Sequence, residues 1–188
     1  YNNFMKTFRE KVAVITGAGS GMGRYLAILL AKDGADVCVC DVNEQTLNET
    51  VGMLRKYNVS VSSHLLDVSD KESIEALPQK VIDQHGKVDL VFNNAGVTTG
   101  AHFKDMDENN WDWVMGINFD GVVNSTRAFI PHLINNTEAA IVNTSSIFGM
   151  VTVPGQTVYH ATKFAVRGFT ESLALEMAQT NPNLQIHC

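Results

Sequence analysis

The sequence predicts an α/β fold: a doubly wound parallel sheet with helices on both faces, three layers in all. Two observations carry this. Short apolar runs rich in β-branched residues alternate with longer stretches of helical periodicity from end to end, the signature of βαβ units whose strands are covered on both faces. Clusters of Gly, Asn, Asp and Ser fall at the carboxyl ends of those runs, which is where open parallel sheets bind ligands. The 188 residues suit one domain over 1–188, with 1–10 as an N-terminal extension. Hydrophobic residues at 45% and charged residues at 18% exclude disordered, collagen-like and low-complexity chains.

Val12–Thr16 is the first strand, a β-branched run that stops in Gly17-Ala-Gly-Ser-Gly-Met-Gly23. A helix follows from Met22 to Lys32, with Leu26, Leu29 and Leu30 at helical spacing, and Asp33-Gly34 ends it. Val37–Cys40 reads as a buried strand ending at Asp41. Helix returns over Glu44–Tyr57, strand over Val59–Leu66, and helix over Asp70–His85, where Pro78 implies a kink or a break. Val88–Phe92 is the fourth strand and runs into Asn93-Asn94-Ala95-Gly96. One helical region spans Asn109–Ile134, with Pro131 implying a kink or an early stop. Ala139–Thr144 is the fifth strand and Thr157–Ala178 a long helix. Leu184–Cys188 opens a sixth strand, in which the sequence stops.

Charge narrows the partners. Fourteen basic against twenty acidic residues give a net charge of −6 with no basic run, which excludes nucleic acid. No apolar run approaches the ~18 residues of a membrane span. Tyr1–Glu10 holds no apolar core of a secretory signal, so the expected location is cytoplasmic. Residues ahead of Met5 read as an added remnant. Cys38 and Cys40 lie two apart on one strand face and read, with Cys188, as thiols in a reducing compartment. The histidines at 64, 85, 102, 132, 160 and 187 fall at no metal-ligand spacing, so no metal is expected. His160 adjoins Tyr159 but points about 100° around the helix, and reads as a packing or surface residue.

The glycine turn carries the first chemistry. Leaving a strand and opening a helix, it lets an anion such as a pyrophosphate approach free N–H groups at the helix N-terminus. The spacing is Gly17-x-x-x-Gly21-x-Gly23 and not G-x-G-x-x-G; a P-loop is excluded because Arg24-Tyr25 follows where Lys and Ser/Thr belong. Asp41, 20 residues after Gly21, ends the second strand, where a carboxylate accepts from ribose hydroxyls and repels a 2′-phosphate. Asp36 precedes that strand, at the opposite sheet edge, and Arg24 is the one residue suited to a phosphate. Tyr159 and Lys163, four apart, share a helix face, and an ammonium beside a phenol favours its ionised form. Ser146 closes the fifth strand 13 residues before Tyr159, at the same sheet edge.

Taken together, these segments resemble the short-chain dehydrogenases/reductases, and the resemblance runs from Lys11 to Cys188. Its carriers are Thr16-Gly-Ala-Gly-Ser-Gly-Met-Gly23, Asp67-Val68, Asn93-Asn94-Ala95-Gly96, Ile117-Asn118-Phe-Asp-Gly121, Ser145-Ser146 and Tyr159-His-Ala-Thr-Lys163. It implies a Rossmann-type fold and an oxidoreductase passing hydride between nicotinamide and a secondary alcohol or ketone, with no metal. It implies a cofactor held by Gly17, Ser20, Gly21, Met22, Gly23, Asp41, Asp67, Val68, Asn94, Ala95 and Gly96, with Tyr159 and Lys163. Asp41 marks the NAD-preferring branch, NADP being less suited. Tyr159 is the implied acid/base, Lys163 the holder of the nicotinamide ribose, and Ser146 the group that orients the reacting oxygen. Asn118 is the implied holder of a relay water, and Asn93 steadies the sheet.

The resemblance also implies a homodimer or homotetramer built on the helix with Trp111 and Trp113 and on the Tyr–Lys helix. Phe148, Met150, Val153 and Gln156 either line a substrate pocket or simply pack. Members of the family continue through a complete sixth strand, a substrate loop and a seventh strand, so the substrate-selecting region is expected to be absent here and the sixth strand truncated. Two alternatives share the fold: an S-adenosylmethionine-dependent methyltransferase, and a dinucleotide sensor without turnover.

Overall fold

The computed structural model describes residues 7–188; most of the expected N-terminal extension lies outside the described residues. Six strands form one sheet: β1 (Val12–Thr16), β2 (Asp36–Asp41), β3 (Val61–Leu65), β4 (Leu90–Asn93), β5 (Ala139–Asn143) and β6 (Leu184–His187). Every pair is parallel, and the order is β3-β2-β1-β4-β5-β6. The chain winds outward from β1 to β3, then returns to the other side of β1. That reversal opens a crevice at the carboxyl ends of β1 and β4, the topological switch point of a Rossmann-type sheet.

The helices are α1 (Gly21–Asp33), α2 (Glu44–Leu54), α3 (Lys71–His85), α4 (Glu108–Met115), α5 (Gly121–Leu133) and α6 (Thr157–Thr180). Alternation along β1 divides the core. Val12 and Val14 join Cys38, Ile74, Phe129 and Leu133 on the α3–α5 side, with Leu173 and Met177 of α6 packed against them. Ala13 and Ile15 join Val37, Val39, Leu30 and Leu54 on the α1–α2 side. Phe129, Ile15 and Leu54 are fully buried, each contributing about 1.5–3 kcal/mol over an exposed position. Cys38 and Cys40 are buried thiols with sulfurs 4.0 Å apart, about twice a disulfide bond.

The elements differ from expectation in informative places. Pro78 neither breaks nor ends α3, which runs on to His85 with Pro78 buried on its inner face. Its helix starts on an Asp70 cap that accepts from the Glu72 and Ser73 N–H groups. Pro131 lies in the last turn of α5 and leaves the end at Leu133. β4 starts at Leu90, two residues later than expected; just ahead of it the buried Asp89 accepts the Val12 N–H on its side chain at 2.8 Å and donates its own N–H to the Val12 carbonyl at 2.9 Å. The single helix expected over 109–134 is three pieces. α4 and α5 are separated by a π turn, Gly116–Asp120, that contains Asn118. A Cβ on Gly121 would stand 3.0 Å from the Val68 carbonyl, so the turn brings α5 directly onto the β3–α3 loop. β6 pairs with β5 over Leu184–His187.

Candidate active site

The crevice at the switch point is a cleft of about 370 Å³. All the residues assigned to the cofactor border it except Gly23, Tyr159 and Lys163. Val42, Leu66, Val97 and Ile117 border it as well, and sequence reasoning did not assign them to the cofactor. Each flanks a recognised segment, and that adjacency was the available signal.

Gly23 lies behind the wall. A Cβ there would fall onto the Gly17 carbonyl and within 2.6 Å of Asn94 Nδ2, so α1 starts pressed against its own turn. The turn is clamped to β4: Asn94 Nδ2 donates to the Thr16 and Gly17 carbonyls, and Thr16 Oγ1 accepts from the Asn94 and Ala95 N–H groups. Ser20 occupies the N-cap of α1 without a side-chain cap bond, and no acidic residue sits in the first turn. The N–H groups opening α1 therefore face the cleft as an anion site.

Asp41 serves the same turn. Its Oδ2 accepts the Gly19 N–H at 2.8 Å and its Oδ1 the Asn43 N–H at 2.9 Å. The remaining lone pairs are left to accept ribose hydroxyls. Asp36 starts β2 and accepts from Ser60, at the far sheet edge. Arg24, the one candidate for a 2′-phosphate, turns away: it bonds the Gly19 and Thr46 carbonyls, Thr50 Oγ1 and Glu49. Asp67 is exposed and accepts from the Ser69 N–H and hydroxyl. A glycine cradle, a helix N-terminus without a side-chain cap bond and a carboxylate with lone pairs to spare, in one crevice, fit a nicotinamide dinucleotide.

The chemistry lies beside it. Tyr159 and Lys163 share a face of α6, with Lys163 Nζ 5.6 Å from the Tyr159 ring centroid. Lys163 is buried, and its ammonium donates to the Thr144 carbonyl at 2.8 Å. Burial holds it below the ordinary lysine value of 10.5. A Cβ on Gly96 would lie 3.7 Å from Lys163 Nζ, so the ammonium stands just behind the cleft wall. Ser145 Oγ donates to the Lys163 carbonyl at 2.9 Å and ties the end of β5 to α6. Ser146 Oγ accepts the Phe148 N–H at 3.1 Å, capping a short 3-10 turn, Ile147–Gly149. Its own hydroxyl proton is therefore free to donate.

Asn118 is buried, and its amide grips Val97: Oδ1 accepts the N–H and Nδ2 donates to the carbonyl, both at 2.8 Å. Nδ2 also reaches Thr162 Oγ1 at 3.3 Å. The side chain thus binds the loop that follows Gly96 to α6. Asn93 donates to Asn143 Oδ1 across β4 and β5 at 2.8 Å. Of the loop residues, Phe148 packs its ring edge against Tyr159, and Gln156 accepts from Thr98 Oγ1. Met150 and Val153 are exposed. Among the described residues, no group of three or more His, Cys, Asp and Glu is placed to hold a metal ion, and no helix is long and apolar enough to cross a membrane.

Known proteins resemble this chain in sequence and fold. The family model for short chain dehydrogenase matches residues 11–188. SadH of Mycobacterium tuberculosis is 41% identical over 184 residues, covering 98% of this chain and 67% of SadH. The 3-oxoacyl-acyl-carrier-protein reductase FabG of Thermotoga maritima is 37% identical over 171 residues, covering 91% of this chain and 70% of FabG. A short chain dehydrogenase/reductase from Burkholderia phymatum, solved in complex with NAD, superposes with a TM-score of 0.93 at 38% identity, covering 96% of this chain and 65% of that one. The chain thus spans about two thirds of the length of these relatives. None of these matches favours methyl transfer. Fold, cleft and sequence agree that this chain belongs to the short chain dehydrogenase family.

Proposed function

We propose that this chain is the dinucleotide-binding and catalytic part of an NAD(H)-dependent oxidoreductase that interconverts a secondary alcohol and a ketone. The observation that carries this reading is Tyr159 with the Lys163 ammonium 5.6 Å from its ring, beside a glycine-walled cleft. Gly17–Gly23 and the start of α1 would hold the pyrophosphate, Asp41 the adenosine ribose, Asp67 and Val68 the adenine, and Asn94–Gly96 the nicotinamide half. Bound there, the cofactor would supply the carbon that accepts or donates a hydride. Tyr159 takes the hydroxyl proton in oxidation and returns it in reduction. Lys163, buried and positive, stabilises the phenolate and holds the nicotinamide ribose. Ser146 donates to the reacting oxygen with the proton that its own acceptor bond leaves free. Asn118 holds Val97, Gly96 and α6 in register, and a relay water would use the second lone pair of its Oδ1.

NAD is preferred over NADP because Asp41 repels a 2′-phosphate while Arg24 is engaged by Glu49 and two carbonyls. The NAD complex of the Burkholderia relative supports this choice. Exposed Trp113 on α4 and Phe164 on α6 support a homodimer or homotetramer. Reduced, buried Cys38 and Cys40 support a cytoplasmic location. A panel of secondary alcohols and ketones with NADH and NADPH, followed by nicotinamide absorbance, tests the reading. We expect turnover with NAD(H) that is lost in Tyr159→Phe while NADH binding persists. Full turnover in Tyr159→Phe would falsify the assigned chemistry; binding without turnover on any substrate would favour the sensor.

A further inference from the structure

His160 is the one polar side chain of the Tyr159–Lys163 segment that the proposed chemistry leaves unused. It is buried, at 6% exposure, and points away from Tyr159 into the loop between Ser146 and α6. Both ring nitrogens are engaged by that loop. Nδ1 lies 3.0 Å from the Phe148 carbonyl, and Nε2 accepts the Val153 N–H at 2.9 Å. The partners fix the tautomer. A carbonyl only accepts, so Nδ1 carries the proton; a backbone N–H only donates, so Nε2 is bare. The Phe148 ring closes the arrangement. It lies 4.8 Å from the His160 ring and 6.2 Å, edge-on, from the Tyr159 ring.

These bonds span the gap between the two reacting groups. Ser146 caps the turn that contains Phe148, and Tyr159 precedes His160 on α6. The far side of the loop is held separately, by Ala101 N–H to the Gly155 carbonyl and by Thr98 to Gln156. Without the imidazole, two loop backbone groups lose their partner and Phe148 loses one of the two rings it packs on. We propose that His160 is a positioning residue, a bridge between the Phe148 carbonyl and the Val153 N–H that holds the Ser146 hydroxyl and the Phe148 ring in register with Tyr159. The inference rests on the oxidoreductase reading, and it concerns orientation alone: His160 exchanges no proton with substrate.

The test compares the wild type with His160→Phe, His160→Gln and Tyr159→Phe. In the wild type, nitrogen-15 spectra of the imidazole should show Nδ1–H and a bare Nε2. An Nε2–H tautomer overturns the proposal whether or not any variant folds. In His160→Phe, amide exchange at Val153 should accelerate and kcat should fall by about ten- to a hundredfold, with KM for NADH unchanged. His160→Gln, which keeps one donor and one acceptor, should recover most of both. Wild-type Val153 exchange, or wild-type kcat, in His160→Phe overturns the proposal. Loss of turnover in Tyr159→Phe alongside either result leaves the oxidoreductase reading standing, so the two failures are distinguishable.

Discussion

Single side chains in this molecule are fixed by very short reaches of backbone. Gly19 is an example: a Cβ there would lie 2.6 Å from Thr46 Oγ1 and 2.7 Å from Asp41 Cγ. Gly19→Ala must therefore push Asp41 off the turn it holds. Overpacking of this kind typically costs about 1–3 kcal/mol, roughly a ten- to hundredfold loss of NADH affinity where it falls on the binding geometry. Fluorescence titration with NADH checks this; unchanged affinity would mean that the turn does not hold the dinucleotide. Lys163 gives a pH signature. Burial lowers its folded value below 10.5, so the unfolded chain binds the extra proton between the two values. Wild-type stability, measured against Lys163→Met, should rise with pH through that window and level off above 10.5. Thermal melts from neutral pH upward test it, and a gap independent of pH would refute it. At this scale the sequence supplied the identities of Tyr159, Lys163, Ser146 and Asp41. It did not supply the hydrogen-bond partners of Asn118 and His160, because Val97, Thr162, Phe148 and Val153 are brought to them by how loops fold back.

At the scale of elements, caps and local breaks set where helices present their residues. Asp70 takes the Ser73 hydroxyl and the Ser73 and Glu72 N–H groups, and these bonds hold its carboxyl below the ordinary 3.8. A carboxylate with a lowered folded value stabilises above the unfolded value and loses that contribution as pH falls through the folded one. Asp70→Asn keeps a cap but not the charge. Its melting temperature should therefore lie below wild type at neutral pH, and the gap should close as pH drops below 3.8. A gap that persists in acid would assign the effect to shape alone. The π turn at Gly116–Asp120 belongs here too. The periodicity of 109–134 reads as one helix because both flanks are helical; the extra residue that turns Asn118 inward leaves no mark in composition. Pro78 teaches the converse. A proline reads as a kink or a break, yet α3 absorbs it, buried, because packing of Ile74, Leu77 and Val81 into the core outweighs one lost backbone bond.

At the scale of the whole molecule, what remains exposed is as informative as the core. Trp113 on α4 and Phe164 and Leu175 on α6 are 47%, 43% and 69% exposed, large apolar groups on two elements that also touch each other. Sedimentation equilibrium should find a dimer or tetramer, and Trp113→Glu with Phe164→Asp should shift it toward monomer. A wild-type monomer would remove the proposed interface. The cleft itself is a molecular-scale object. Residues of the glycine turn, of Asp67-Val68 and of Asn94–Gly96, far apart in the chain, meet because the strand order reverses at β1 and β4.

The sequence by itself determined the layers, the strand and helix alternation and the types of chemical group at the sheet edge. These depend on local periodicity and on residue chemistry, both of which survive in one dimension. Only the tertiary structure decided the tautomer of His160, the inward turn of Asn118 and the capture of Arg24 by Glu49. Each of those depends on which backbone donor or acceptor another segment leaves unpaired, and that is settled only when the segments pack.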